Sequence, residues 1–303
     1  MVFYYFDIGS STIKMYEYKG KKAELIEERS ILFKAFFSEE SGVSTKNYLN
    51  LMTFIRQMKE RYTLTMENTK ILATGIWRRI PEEQLATLKA DFRSLNLEFN
   101  VISHEQESRY FAKAMQGIYD RKKIVMVNMG GKTTELVAYD KGNIVNKKNL
   151  DIGVADVLNH YPRINELEEK VTVDKAIAYI KTLLPNEAWE KDFDAAIYTG
   201  AELRFQRLTQ YPLVENTIFK DNLHPVMVSL DDFKKRNREI VEATKMKDLY
   251  ELMPTNPGWM EGAKAGVCLA EAVFDWLSIK WIIPSDLNMI DGVVKMEQRY
   301  KSK

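Results

Sequence analysis

Alternation of apolar and polar positions starts at the first residues. VFYYFD is a β-branched and aromatic run ending at Gly9, and TIKMYEY and ELIEERSILF follow it. The turns GSS and KGK separate these runs, which predicts three consecutive strands. The period then lengthens: Tyr48, Leu51, Met52, Ile55 and Met58 share one face, predicting a helix from about Thr45 to Tyr62. KILAT predicts a strand, PEEQLATLKADFRSL a helix with Pro81 at its start, and LEFNVIS another strand. Ser103 with Gln106 three residues on forms a capping box, opening a helix that runs through Met115. This alternation predicts an α/β sheet.

The polar stretch GIYDRKK, Gly117 to Lys123, marks a domain junction, and after it the pattern begins again. KIVMVNMGGKTTELVAYDKGNIVNKKNL repeats the order of the amino-terminal segment: strand, glycine/hydroxyl turn, strand, Lys-Gly turn, strand. Asp7 is matched by Asn128, Gly9 by Gly130, and Ser11 and Thr12 by Lys132 and Thr133. An internal duplication accounts for this, with residues 1–120 as one domain, 121–292 as the second, and about 293–303 packing back on the first. Further on, helices are expected near Gly153 to Tyr161 and from Val173 to Leu184, and the strand AAIYTG enters a helix at Ala201. The remainder reads as mostly helical. GAKAGVCLAEAVFDWL is apolar around most of its circumference, which predicts a buried helix. A last strand, KWIIPSD, points Ser285 and Asp286 back toward a site.

Composition narrows the field of functions. At 303 residues the chain exceeds the usual size of one compact core, so two domains are expected. Lys and Arg total 44 against 43 for Asp and Glu, so there is no global basic field for DNA or an anionic membrane. Cys268 stands alone in an apolar run, which excludes an internal disulfide and fits a reducing, cytoplasmic setting. MVFYYFDIG lacks the basic start of a signal peptide, and no apolar run approaches the roughly 20 residues of a membrane span. His104, His160 and His224 show no metal-ligand spacing.

The turns carry the chemistry. A glycine/hydroxyl hairpin exposes backbone N–H groups and hydroxyls on one side, forming a nest for phosphate oxygens. Gly9, Ser10, Ser11 and Thr12 supply one such loop, and Gly130, Gly131, Lys132 and Thr133 the other. In ATGIWR, Thr74 and Arg78 follow the carboxyl end of a strand, where α/β sheets bind ligands and where a guanidinium can grip a phosphoryl group. A surface Arg beside Arg79 is the alternative. Glu107, in the first turn after LEFNVIS, could deprotonate a water or serve only as a favourable acid at a helix start. Glu135 among TTELVAY reads equally as a Mg²⁺ ligand or as a residue on a solvent face. Gly200, after AAIYTG, marks a further strand-to-helix switch of the kind that meets phosphates.

Taken in order, these segments resemble the exopolyphosphatase/guanosine pentaphosphate phosphohydrolase family. DIGSST stands for DxGSNS, ATGIWR for ATxxxR, SHEQESR for SGEEEAR, NMGGKTTE for DIGGGSTE, YTGAE for a GxGGT-like segment, and IIPSDLNMIDG for a late strand ending in SD. The resemblance covers almost the whole chain. It implies two ribonuclease H-like, actin-like ATPase domains with a cleft between them. It also implies removal of a terminal phosphoryl group from polyphosphate or a guanosine polyphosphate with Mg²⁺ or another divalent cation. Glu107 would then activate water, Arg78 would bind phosphate, and Asp7 and Glu135 would be acids near the metal, with Asn128 at the position of a third. A homodimer stays open.

Several departures accompany the resemblance, among them MIDG at 289–292 where an LREG-like end is expected. Asn128 replaces an acid, Lys132 replaces a glycine, and Trp259 and Glu261 stand where an arginine and an aspartate are expected. They leave open a second function of a different class: a sensor that binds a phosphorylated ligand without turning it over. Kinase or ATPase chemistry is a third, though YTGAE does not clearly announce an adenosine pocket.

Overall fold

The computed structural model describes residues 2–20, 22–34, 37–115, 122–187, 189–220 and 223–301. Of the expected junction at 117–123, residues 117–121 lie outside the described residues. Contacts divide the chain into two compact units, Met1–Ala114 with Met289–Lys303, and Met115–Asn288.

The first unit opens with β1 (Phe3–Ile8), β2 (Thr12–Tyr18) and β3 (Ala23–Ser30), followed by α1 (Thr45–Tyr62), β4 (Thr69–Ala73), α2 (Glu82–Ser94), β5 (Phe99–Val101) and α3 (His104–Met115). The three runs read from the sequence are these first three strands. The sheet order is β3-β2-β1-β4-β5, with β1 antiparallel to β2 and parallel to β4. Helix α1 has the bounds its periodicity predicts. Ser44 caps it by accepting from the Asn47 amide, and Leu51, Met52, Phe54, Ile55 and Met58 are buried. The capping box at Ser103 is formed in both directions, Gln106 N to Ser103 Oγ at 3.1 Å and Ser103 N to Gln106 Oε1 at 2.9 Å. LEFNVIS yields only three strand residues.

Trp77, fully buried, anchors this core edge-on against Phe33 and Phe99, with ring centroids 4.8 and 5.4 Å away. The unit's carboxyl-terminal segment packs tightly into it. A Cβ built on Gly292 would lie 1.7 Å from the Tyr110 carbonyl oxygen, so only glycine permits this approach. Glu297 accepts from Tyr5 Oη at 2.6 Å and from Lys70 Nζ at 2.8 Å.

The second unit begins with β6 (Lys123–Met129), β7 (Thr134–Asp140) and β8 (Asn143–Leu150), then α4 (Val154–His160), α5 (Val173–Leu183), β9 (Ala195–Thr199) and α6 (Glu202–Leu208). It continues with β10 (Val214–Glu215), β11 (Val226–Ser229), α7 (Leu230–Glu242), α8 (Met246–Glu251), α9 (Ala263–Trp276) and β12 (Trp281–Pro284). Helix α10 (Met289–Lys301) belongs to the first unit. The sheet order β10-β11-β12-β9-β6-β7-β8 contains the pattern of the first: three antiparallel strands, then a parallel partner beside the first of them. The duplication read from the sequence is therefore a duplication of topology.

Helix α9 is buried nearly throughout, as its pattern predicts, and Cys268 is wholly enclosed in it; burial pushes its thiol well above the usual range. The same helix carries two buried charges. Lys264 Nζ donates to the Val241 carbonyl at 3.0 Å, and Glu271 is held by Asn237 at 2.8 Å and by Arg238 at 3.3 Å. Among the described residues, no helix is long and apolar enough to cross a membrane.

Candidate active site

In the first unit the hairpin between β1 and β2 closes with Gly9 N donating to Thr12 O at 2.9 Å. Its carbonyls are occupied: Gly9 O accepts from Trp77 Nε1 at 3.1 Å, Ser10 O from Lys34 N at 3.2 Å and Ser11 O from Ile31 N at 3.0 Å. In a trans peptide the next N–H points opposite to the carbonyl, and no cis bond occurs among the described residues. The amides of Ser10 and Ser11 therefore point away from those donors. Ser11 Oγ is buried with no hydrogen-bond partner among the described residues.

Ser10 Oγ accepts from Ile76 N at 3.1 Å and so docks the loop on a 3-10 helix, Gly75–Arg79. Gly75 has φ +65°, and a Cβ there would lie 2.2 Å from Ser10 Oγ. Thr74, buried, caps this helix in extended conformation with no side-chain cap bond, so its hydroxyl is not spent on the helix end.

Arg78 is half-buried and engaged, whereas Arg79 is exposed beside Glu39 at 3.6 Å. Arg78 Nε donates to Ile102 O at 2.8 Å, Nη1 lies 2.9 Å from His104 Nδ1, and Nη2 donates to Glu107 Oε2. With a further approach of Nη1 to His104 Nε2 at 3.2 Å, these contacts engage all three guanidinium nitrogens. Glu107 is 8 % exposed. Asp7, half-buried, faces Lys14 across the ladder; burial pushes its carboxyl above the ordinary value and Lys14 offsets this in part.

The second hairpin closes with Gly130 N donating to Thr133 O at 2.8 Å. Here the first turn of α4 satisfies the carbonyls: Val154 N donates to Gly130 O at 3.1 Å and Ala155 N to Gly131 O at 2.8 Å. By the same peptide geometry the amides of Gly131 and Lys132 point away from α4. Glu135, 3 % exposed, is not on a solvent face. Its Oε2 accepts from Asn128 Nδ2 at 2.9 Å and its Oε1 from Thr133 Oγ1 at 2.7 Å. Asn128 Oδ1 in turn accepts from Thr199 Oγ1 at 3.3 Å. Lys132 Nζ lies 2.5 Å from Asp156 Oδ1, while Asp156 Oδ2 accepts from Gly153 N at 2.9 Å. Gly200, at φ +110°, ends β9 beside Asn128, whose Oδ1 would lie 3.8 Å from a Cβ at that glycine.

The first unit thus gathers Asp7, Gly9, Ser10, Ser11, Thr12, Thr74, Arg78 and Glu107 around the ends of β1, β4 and β5. The second gathers Asn128, Gly130, Gly131, Lys132, Thr133, Glu135 and Gly200 around the ends of β6 and β9. Ser285 and Asp286 do not join them. Ser285 Oγ lies 2.8 Å from the buried His224 Nε2, and Asp286 accepts from Arg204 N at 3.0 Å. Sequence reasoning missed His104, Thr199 and Asp156. Only the i to i+3 spacing of His104 from Glu107 on one helix was available as a signal; the other two act across 71 and 24 residues.

The model of the Ppx/GppA phosphatase family matches residues 37–300. The chain belongs to that family. An Aquifex aeolicus Ppx/GppA enzyme is similar in structure, with TM-score 0.67, 18% identity, and coverage of 98% of this chain and 99% of that one. A Cytophaga hutchinsonii exopolyphosphatase gives 0.69 at 13% identity over 99% and 98%, and an exopolyphosphatase-like protein gives 0.74 at 16% over 100% and 99%. At these identities the likeness shows the fold, and the α/β class expected from the resemblance is borne out. No curated protein matches the chain.

Ala201 stands at a glycine position of the GxGGT-like segment and holds φ +75°, a left-handed conformation that explains why glycine suits the position. Trp259, at the expected arginine, lies under the Arg204 guanidinium at 4.6 Å.

Proposed function

We propose that the chain is an exopolyphosphatase-like phosphohydrolase, removing the terminal phosphate of inorganic polyphosphate or guanosine pentaphosphate. The observation that carries this reading is the buried Glu107 held by Arg78, whose guanidinium is fixed on the Ile102 carbonyl. A buried carboxylate oriented in this way is suited to take a proton from water as its oxygen attacks the terminal phosphorus. The terminal anhydride P–O bond then breaks in line, and the shortened chain leaves with the bond's electron pair. Outward-facing amides of the hairpin loops, with Ser11 Oγ and Thr74, supply donors for the phosphate oxygens. The reaction proceeds in the cytoplasm under this reading.

Release of phosphate from polyphosphate or guanosine pentaphosphate by purified protein is the test. Glu107→Gln is expected to lower the rate on the order of 10²–10⁴-fold with binding retained. An unchanged rate would remove Glu107 from the reaction. One observation favours a second reading, a sensor that binds without turnover: Lys132 is committed to Asp156, and Asn128 to Glu135. Calorimetric binding of polyphosphate with no release at any pH would select that reading.

A further inference from the structure

We infer that Gln206 holds a buried water, so that the core of the second unit contains an internal hydration site on the inner face of α6. That face carries Leu203, Phe205 and Gln206, all buried. Gln206 is fully enclosed, yet neither its Oε1 nor its Nε2 has a hydrogen-bond partner among the described residues. A glutamine amide offers two N–H donors and an acceptor oxygen. Left bare in a core, both groups carry the full cost of leaving water. A buried water removes that cost, because one molecule can donate to the carbonyl and accept from the N–H of such a side chain.

The same core shows the alternative solution close by in the chain's polar network. Asn237 is equally enclosed, but its Oδ1 accepts from Tyr211 Oη at 2.5 Å and its Nδ2 donates to Glu271 Oε2 at 2.8 Å. Protein groups satisfy that amide, and Gln206 is left to solvent. The side of α6 that bears Gln206 is polar. Glu202 stands one turn earlier on the same side, and its carboxylate accepts from the buried Tyr198 phenol. Tyr211 lies on the turn that follows, its N–H donating to the Gln206 carbonyl at 2.9 Å. Burial raises the Tyr198 and Tyr211 phenols well above their ordinary value, and the Glu202 carboxylate adds to the rise on both. Each phenol donates its proton elsewhere and presents an oxygen that can accept from a water. The water therefore has the Gln206 amide on one side and the Tyr198 and Tyr211 oxygens on the other, which meets its need for two or more polar partners. Helix α6 is fixed at its start by Glu202 N on Ser285 O at 3.3 Å and by Arg204 N on Asp286 Oδ1 at 3.0 Å. The water seats its inner face further along.

A high-resolution crystal structure of the whole chain and thermal unfolding of Gln206→Met test the site. The crystal should show a water within hydrogen-bond distance of Gln206 Nε2 or Oε1 and of the Tyr198 or Tyr211 oxygen. Methionine matches glutamine in size and has no amide, so it strands the water. Gln206→Met is expected to lower the thermal midpoint by about 2–4 °C. A midpoint at or above that of wild type would overturn the inference, because an apolar side chain of the same shape relieves an amide that was truly bare. A crystal in which the Gln206 amide meets protein groups alone, or nothing, would overturn it as well. If Gln206→Met does not fold, the wild-type crystal still decides. Neither measurement involves phosphate, so the water site and the phosphohydrolase reading stand or fall separately.

Discussion

The two hairpins close the same turn, Gly9 N to Thr12 O at 2.9 Å and Gly130 N to Thr133 O at 2.8 Å, yet they are held in place by different means. The first adds side chains to backbone contacts: besides the Lys34 and Ile31 amides on its carbonyls, Ser10 Oγ accepts from the Ile76 amide and the Trp77 indole donates to the Gly9 carbonyl. The second has Gly131 where the first has Ser10, and it is fastened by backbone, with two amides of α4 on two loop carbonyls. Their acids differ too. Asp7 sits across from Lys14 in the first, whereas Asn128 sits across from Glu135 in the second, so the carboxylate has changed strands. One duplicated element thus presents outward amides in both copies, with separate solutions for rigidity and for charge.

Backbone fastening leaves no room for a side chain at the point of contact. A Cβ on Gly153 would lie 2.4 Å from Lys132 N, 2.5 Å from Gly131 C and 2.7 Å from Gly130 O. These are backbone atoms that cannot swing aside. Gly153→Ala is expected to cost about 3 kcal/mol, at the upper end of overpacking. At Gly9 the nearest atom to an added Cβ is Thr12 O at 3.6 Å, an ordinary contact. Gly9→Ala should stay within about 1 kcal/mol of wild type. Thermal unfolding of the two variants measures the contrast, and equal losses would mean that the hairpins are fastened alike.

The contrast also shows what the sequence could convey. The strands of both hairpins, the bounds of α1 and the capping box at Ser103 were legible because each depends on residues within one turn or one period of each other. The short strands β10 and β11 were not, being two and four residues long with no alternation to read. Of the candidate site, the residues of each loop were legible from their glycines and hydroxyls. The pairing of Lys132 with Asp156 was not, because it depends on α4 folding back onto the loop 24 residues later. Ser285 was expected at a site on the strength of its place after a strand. The approach of His224, 61 residues earlier in the chain, redirected it.

Fastening by side chain should be sensitive to the loss of one oxygen. Ser10→Ala removes the acceptor of the Ile76 amide, and Ile76 is buried, so that N–H is left unsatisfied. The expected cost is about 1–3 kcal/mol, read by denaturant unfolding. The second hairpin has no counterpart, since Gly131 offers no side chain to remove. A Ser10→Ala protein as stable as wild type would mean that the Trp77 indole and the Lys34 and Ile31 amides fasten the first loop without it.

The smallest effect concerns charge and depends on pH. The folded Asp7 carboxyl is raised above 3.8 by burial, with Lys14 offsetting part of the rise. A raised carboxyl binds its proton more tightly in the folded than in the unfolded chain. Its contribution to stability is therefore complete below the ordinary value and is lost as pH rises through the folded one. At neutral pH the ionised Asp7 is a burden on the fold. Asp7→Asn, which gives the first hairpin the amide that the second already has, should melt above wild type at pH 7, and the gap should close as pH falls toward 4. A lower midpoint for Asp7→Asn at pH 7 would show instead that Lys14 or a bound cation more than offsets the burial. The two hairpins would then differ in kind: the first would be completed by positive charge and the second by an amide and a hydroxyl.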